Sequence, residues 1–169
     1  MSNWPTGRSR DGGADEVPLP ATQGRLWLCG KHFVAPDPEG ALRATGADVV
    51  VCLCEEHELA GRYPGYVGWL RANSPQRAVW APIPDLHAPD VEEAEALLAR
   101  LRDRLEHGHM LLLHCGAGIG RAGTVAAALL IMMGMDGDAA VALVASSRPM
   151  AGPEAGAQAQ LLDALGVNR

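Results

Sequence analysis

Long apolar runs are missing from this chain of 169 residues. No stretch approaches the roughly 18–20 consecutive apolar residues of a membrane span, so a transmembrane protein is not expected. The N-terminus lacks the charged-then-apolar pattern of an export signal. Cysteine is sparse, with four residues at 29, 52, 54 and 115. They are too scattered for the disulfide framework of a small secreted domain, which agrees with a reducing, cytoplasmic location. Basic charge is short as well. A net charge of −6 argues against a general nucleic-acid binder. Lysine occurs once, as Lys31, against thirteen arginines, and alanine is used heavily; this reads as genomic composition bias rather than function.

What is present suits one domain with a substantial core, at 48% hydrophobic residues. Residues 1–24 are rich in Gly, Pro and charge without apolar periodicity, and are expected to form a flexible leader to a single domain at 25–169. Trp4 and Leu19 are candidate anchors of that leader. Arg25 to Gly30 reads as a first strand and Pro38 to Thr45 as a short helix closed by Gly46. The β-branched run from Asp48 to Cys54 predicts a buried central strand. Glu55 to Asn73 is interrupted by Pro64, so a broken helix is expected. Ala78 to Ile83 reads as a strand, and the spacing of Val91, Ala94, Leu97, Leu98, Leu101 and Leu105 predicts a helix, capped by Asp90 with Glu93. Met110 to Leu113 is a strand, Val125 to Met133 a buried helix, and two closing helices follow at Gly137–Ser147 and Pro153–Leu165. Strands alternating with helices predict an α/β fold: a mostly parallel sheet of four to five strands, helices on both faces, and a site beyond the strand carboxyl ends.

At one such end lies His-Cys-Gly-Ala-Gly-Ile-Gly-Arg-Ala-Gly-Thr, residues 114–124. A thiol and an arginine separated by five residues sit on a strand-to-helix turn, which aims successive backbone N–H groups and a helix N-terminus at one point. The guanidinium of Arg121 adds a planar fork that fits two phosphate oxygens. The same donors favour S⁻, so Cys115 is expected to be a thiolate at neutral pH. The bland alternative, a glycine-rich turn around a structural thiol, requires neither the arginine nor so much glycine.

Cys115, five residues and Arg121, preceded by His114, resemble the Cys-x5-Arg loop of the protein tyrosine phosphatase superfamily, in the wording of its small dual-specificity branch. The resemblance runs from about Arg25 to Leu165. It implies Cys115 as nucleophile and residues Gly116, Ala117, Gly118, Ile119, Gly120 and Arg121 as the phosphate cradle. It gives His114 the part of a buried residue supporting the thiolate. Breaking a phosphate ester also needs a proton donor at the leaving oxygen. Asp85 in "PIPD" resembles the family's general acid, whereas Asp90 is explained as a helix cap. No metal or organic cofactor is implied; His107 and His109 are two ligands at most and read as a solvated turn. The expected partner is a phosphorylated protein or peptide. Members of that superfamily acting on polyphosphorylated substrates tend to carry basic residues between the cysteine and the arginine; none stands between Cys115 and Arg121, so the resemblance implies a singly phosphorylated side chain, tyrosine and, in a shallow pocket, serine or threonine.

Two positions depart from the common pattern. Most relatives have Ser or Thr after the loop arginine, where its hydroxyl helps sulfur leave the phosphocysteine. Here that residue is Ala122, as in the phosphatases of regenerating liver, and slow intermediate hydrolysis is expected. The alternatives are a catalytically weak phosphate-binding or partner-docking module, a phosphatase of non-protein monoesters, and a rhodanese-like sulfurtransferase. Cys54 ends the central strand where some relatives carry a second thiol that traps the catalytic sulfur as a disulfide. It is the candidate redox partner of Cys115. Arg148 and Gln158 are expected to be packing or surface residues.

Overall fold

The computed structural model describes residues 11–167. Five strands form one sheet: β1 (Ala14–Val17), β2 (Arg25–Gly30), β3 (Val49–Cys52), β4 (Ala78–Trp80) and β5 (Met110–Cys115), in the order β1-β2-β5-β3-β4. β2, β5, β3 and β4 run parallel, and β1 adds an antiparallel edge. This is the α/β architecture expected. One boundary needs correction. The leader assigned to residues 1–24 contains β1, whose Ala14 pairs with Cys29 and Val17 with Leu26. Residues 1–10, and Trp4 with them, lie outside the described residues. Leu19 packs against the core as expected of an anchor.

The helices are α1 (Lys31–Val34), α2 (Pro38–Thr45), α3 (Glu56–Ala60), α4 (Pro64–Asn73), α5 (Val91–Glu106), α6 (Gly120–Met132), α7 (Gly137–Ser147) and α8 (Gly156–Val167). The break between α3 and α4 falls at Pro64, whose missing N–H is tolerated at a helix start. Asp90 caps α5, accepting 2.8 Å from Glu93 N–H. The single turn α1 has too few residues for a periodic signal in the sequence. α6 starts at Gly120, inside the glycine-rich loop, because two of the loop's glycines permit close backbone approach. At Gly123 a Cβ would strike the backbone of Gly152.

Strand alternation divides the core. Leu111, Leu113 and Cys115 of β5, with Val49, Val51 and Leu53, face α5, α6 and α8. Val50, Cys52, Cys54, Cys29 and Leu112 face the opposite side, with Leu42, Leu59, Tyr66 and Leu70 of α2, α3 and α4. β3 is buried on both faces, which is why it reads as an unbroken apolar run. The carboxyl ends of β2, β3 and β5 converge at Gly30, Cys52 and Cys115.

Candidate active site

The loop between β5 and α6 forms the floor of a cleft of about 400 Å³. Cys115, Gly116, Ala117, Gly120 and Arg121 line it, with Lys31, Glu58, Asp85 and Glu154 on its walls. Of the residues assigned to phosphate binding, Gly118 contributes differently, through an N–H directed at the Cys115 sulfur. Ile119 turns its carbonyl to the N–H groups of Gly123 and Gly152, at 3.0 and 3.1 Å, and so joins the helix start to the chain after α7. Gly118 adopts φ +74°, and a Cβ there would run into the Cys29 carbonyl. Only glycine fits both the conformation and the space.

Arg121 is 4% exposed. Glu58 of α3 grips it end-on, accepting from Nη1 at 2.8 Å and Nη2 at 2.7 Å. A further Nη1 hydrogen goes to the Ile83 carbonyl at 2.8 Å. The Glu58 carboxylate is fixed in turn by Glu55 N–H at 2.7 Å, at the start of α3. Burial works against its charge, but the guanidinium and the Glu55 amide together hold its pKa below the ordinary carboxylate value. This leaves the opposite edge of Arg121, made of Nε–H and the outer Nη2–H, and Nε is buried without a hydrogen-bond partner. A buried unpaired donor is costly, and a phosphate oxygen would satisfy it. Nothing local in the sequence separates Glu58 from its neighbours Glu55 and Glu56, because its role depends on a partner 63 positions away.

Cys115 is 3% exposed, and Ala122 N–H lies 3.4 Å from its sulfur. Burial pushes the thiol up, while the Ala122 N–H, the Arg121 charge and the Gly118 N–H pull it back. The net direction is upward, which corrects the expectation of a ready thiolate at neutral pH. The physical reason is burial: desolvation of a charged sulfur outweighs the Ala122 N–H, the Arg121 charge and the Gly118 N–H together. His114 is fully buried; its Nδ1 lies 3.1 Å from the Cys115 carbonyl and its Nε2 2.6 Å from the Tyr66 hydroxyl. A carbonyl only accepts, so Nδ1 carries the proton, and in the neutral ring Nε2 accepts from Tyr66. Tyr66, too, had no mark in the sequence.

Asp85 stands at the cleft mouth, its side chain 73% exposed, with Oδ1 at 3.6 Å from Arg121 Nη2 and accepting 3.0 Å from Leu86 N–H. Thr124 does not replace the hydroxyl missing at Ala122. It donates at 2.7 Å to the Gly120 carbonyl one turn back. Cys54 is buried just past the end of β3, near enough to Cys115 for the two thiols to interact electrostatically, and its sulfur lies within 4.8 Å of the Cys52 sulfur and a His114 nitrogen. Cys52 and burial push the Cys54 thiol up, against the pull of His114. Cys52, Cys54 and His114 offer three metal-ligand atoms, but both His114 nitrogens are engaged and both thiols would have to ionise in the core; we assign no metal. His107 is occupied by the Asp103 carbonyl at 2.7 Å. Arg148 and Gln158 are fully buried rather than at the surface. Gln158 Oε1 accepts 2.7 Å from Glu154 N–H, and its Nε2 donates 3.3 Å to the His87 carbonyl, so it fastens the Asp85 loop to the chain before α8.

A family model described as "PTP-SAK: Swiss Army Knife protein, DSP-PTPase phosphatase domain" matches residues 30–164. Among solved structures, Tk-PTP in its active form is similar with a TM-score of 0.68 and 26% identity, over 91% of this chain and 97% of that one. Kinase-associated phosphatase carrying a serine at its catalytic-site cysteine gives 0.74 and 22%, over 90% and 95%. Human DUSP28 gives 0.68 and 20%, over 92% and 93%; this likeness and the previous one concern the fold. No curated protein matches. Among the described residues no helix is long and apolar enough to cross a membrane.

Proposed function

Because the chain belongs to the PTP-SAK family, with its DSP-PTPase phosphatase domain, we propose that it hydrolyses phosphotyrosine, and with it phosphoserine or phosphothreonine, in protein substrates through a phosphocysteine. The observation that carries this reading is the buried, unpartnered Nε–H of Arg121, in the same cleft as the Cys115 sulfur and in a loop whose Ala122 N–H points at that sulfur. The phosphate dianion seats its oxygens on that edge and on the loop. Cys115 first loses its thiol proton to solvent; the thiolate then attacks phosphorus, the S–P bond forms as the ester P–O bond breaks, and the Asp85 carboxylic acid gives its proton to the leaving oxygen. Water then attacks phosphorus, its proton passes to the Asp85 carboxylate, and the S–P bond breaks to return the thiolate. Glu58 and His114 are positioning residues, acting through Arg121 and the Cys115 carbonyl. The protein works in the cytoplasm.

A second reading has its own observation. With alanine at 122 and the Thr124 hydroxyl committed to Gly120, no side-chain hydroxyl among the described residues is seen to bond the Cys115 sulfur. Hydrolysis of the intermediate is then slow, and the protein spends its time as a phosphate-loaded docking module. Steady-state release of phosphate from phosphotyrosyl, phosphoseryl and phosphothreonyl peptides, against PI(5)P vesicles, tests the substrate class. The proposal expects Cys115-dependent release from the peptides. Release confined to the lipid would overturn it in favour of a non-protein monoester.

A further inference from the structure

Arg148 ends α7 and is fully buried, with no place in the chemistry above. Its guanidinium joins two parts of the chain that lie far apart in sequence. On one side Nε donates 2.9 Å to the Gly118 carbonyl and Nη2 donates 2.9 Å to the Ala117 carbonyl. On the other, Nη1 donates 2.8 Å to Asp15 Oδ2 of β1 and lies 3.3 and 3.2 Å from the Gly12 and Gly13 carbonyls.

The geometry of a peptide unit gives this clamp a consequence at the sulfur. Within one planar peptide the C=O and N–H point in opposite directions. Holding the Ala117 carbonyl outward therefore turns the Gly118 N–H inward, toward Cys115. Holding the Gly118 carbonyl outward turns the Ile119 N–H to the same side. Gly118 sits at φ +74°, where glycine rotates at little cost, so this is the point at which the loop can flip. A buried guanidinium is itself held in place only while its charge is matched. Asp15, with its side chain 19% exposed, provides that charge from the edge strand. β1 precedes the residues 30–164 that match the family model.

We infer that the N-terminal strand is a positioning element of the phosphate-binding loop, with Asp15 acting through Arg148 to fix the peptides on either side of Gly118. This rests on the loop being the phosphate cradle of the reading above. Asp15→Asn keeps the shape and removes the charge; Asp15→Glu restores it. Asp37→Ala removes a helix cap of α2 remote from the loop, and controls for simple loss of stability.

The test is inhibition by orthovanadate of Cys115-dependent aryl phosphate turnover, with amide hydrogen exchange at Gly118 and Ile119 read in the same proteins. Asp15→Asn is expected to raise the vanadate inhibition constant roughly tenfold, the scale of one charge-assisted hydrogen bond, and to speed exchange at both amides. Asp15→Glu should recover most of the affinity, and Asp37→Ala should change neither readout even where it lowers Tm. Should Asp15→Asn not fold, Arg148→Lys takes its place, since an ammonium cannot hold both carbonyls in the guanidinium plane. Unchanged vanadate inhibition and exchange in the folded variant would overturn the inference while leaving the phosphatase reading intact. Absence of vanadate inhibition in the wild-type protein would overturn both.

Discussion

Replacing Glu58 by Gln removes the charge that holds Arg121 and leaves the shape almost unchanged. The two side chains are 14% and 3% exposed, so the pair is mostly withdrawn from water. Breaking a buried pair by neutralising one member typically costs about 3–5 kcal/mol, because the other charge is stranded. Gln still accepts one hydrogen bond and Ile83 keeps its own, so a loss of about 2–4 kcal/mol is expected. For a domain of this length that corresponds to roughly 5–15 °C in Tm. The stranded guanidinium gains a new partner when an anion binds, so phosphate or vanadate should raise Tm by more in Glu58→Gln than in wild type. The reactive edge also loses its aim, and kcat/KM for an aryl phosphate should fall roughly 10–100-fold.

The pH dependence has a defined sign. Glu58 is held below its ordinary value of 4.5, so its contribution is complete above that value and disappears as pH falls through the lower, folded value. The Tm gap between wild type and Glu58→Gln should close on acidification below that point. Thermal melts across pH, with and without phosphate, together with kcat/KM, measure all of this. Equal melting temperatures, or an intact kcat/KM, would refute the assignment of Glu58 as the residue that aims Arg121.

Ala122→Ser should speed hydrolysis of the phosphocysteine, by up to about 10²-fold for one well-placed donor, and shrink any pre-steady-state burst; rapid mixing reads both. Asp85→Asn should cost roughly 10²–10⁴-fold with alkyl phosphates and far less with nitrophenyl phosphate, whose leaving group needs no proton; equal losses on both would remove Asp85 from its role. Gly118→Ala should raise the pKa of Cys115 further, because the inward N–H is lost with the loop geometry, and the pH profile of iodoacetamide alkylation reports it. After mild peroxide, the Cys115 sulfenic acid should condense with the Cys54 thiol, releasing water, with a yield that rises with pH because Cys54 is pushed up. Peptide maps showing only sulfinylated Cys115 would contradict that pairing.

The fold was legible wherever a local rule coincided with the tertiary outcome. β2 and α2 fall at the expected residues because alternation, Pro38 and Gly46 mark their ends. The loop 115–121 was legible because its function imposes a spacing on consecutive residues. What the sequence withheld are single side chains whose role depends on distant partners. Glu58 meets Arg121 across 63 positions, Tyr66 meets His114 across 48, and Arg148 meets Asp15 across 133. Each comes from an element that, read alone, offers only a charged or aromatic residue on a helix or strand. β1 was hidden for a related reason: four residues, three of them half-buried, pair with an edge and show no apolar alternation.

The central claim is that Cys115 takes the phosphoryl group while Arg121 holds it. The most direct measurement is rapid mixing with nitrophenyl phosphate, followed by acid-quench mass spectrometry of the Cys115 peptide, with Cys115→Ser alongside. The account predicts a burst near one equivalent, a phosphorylated Cys115 peptide, and a slower second phase set by hydrolysis. Turnover that persists in Cys115→Ser, or phosphate carried on another residue, would contradict it.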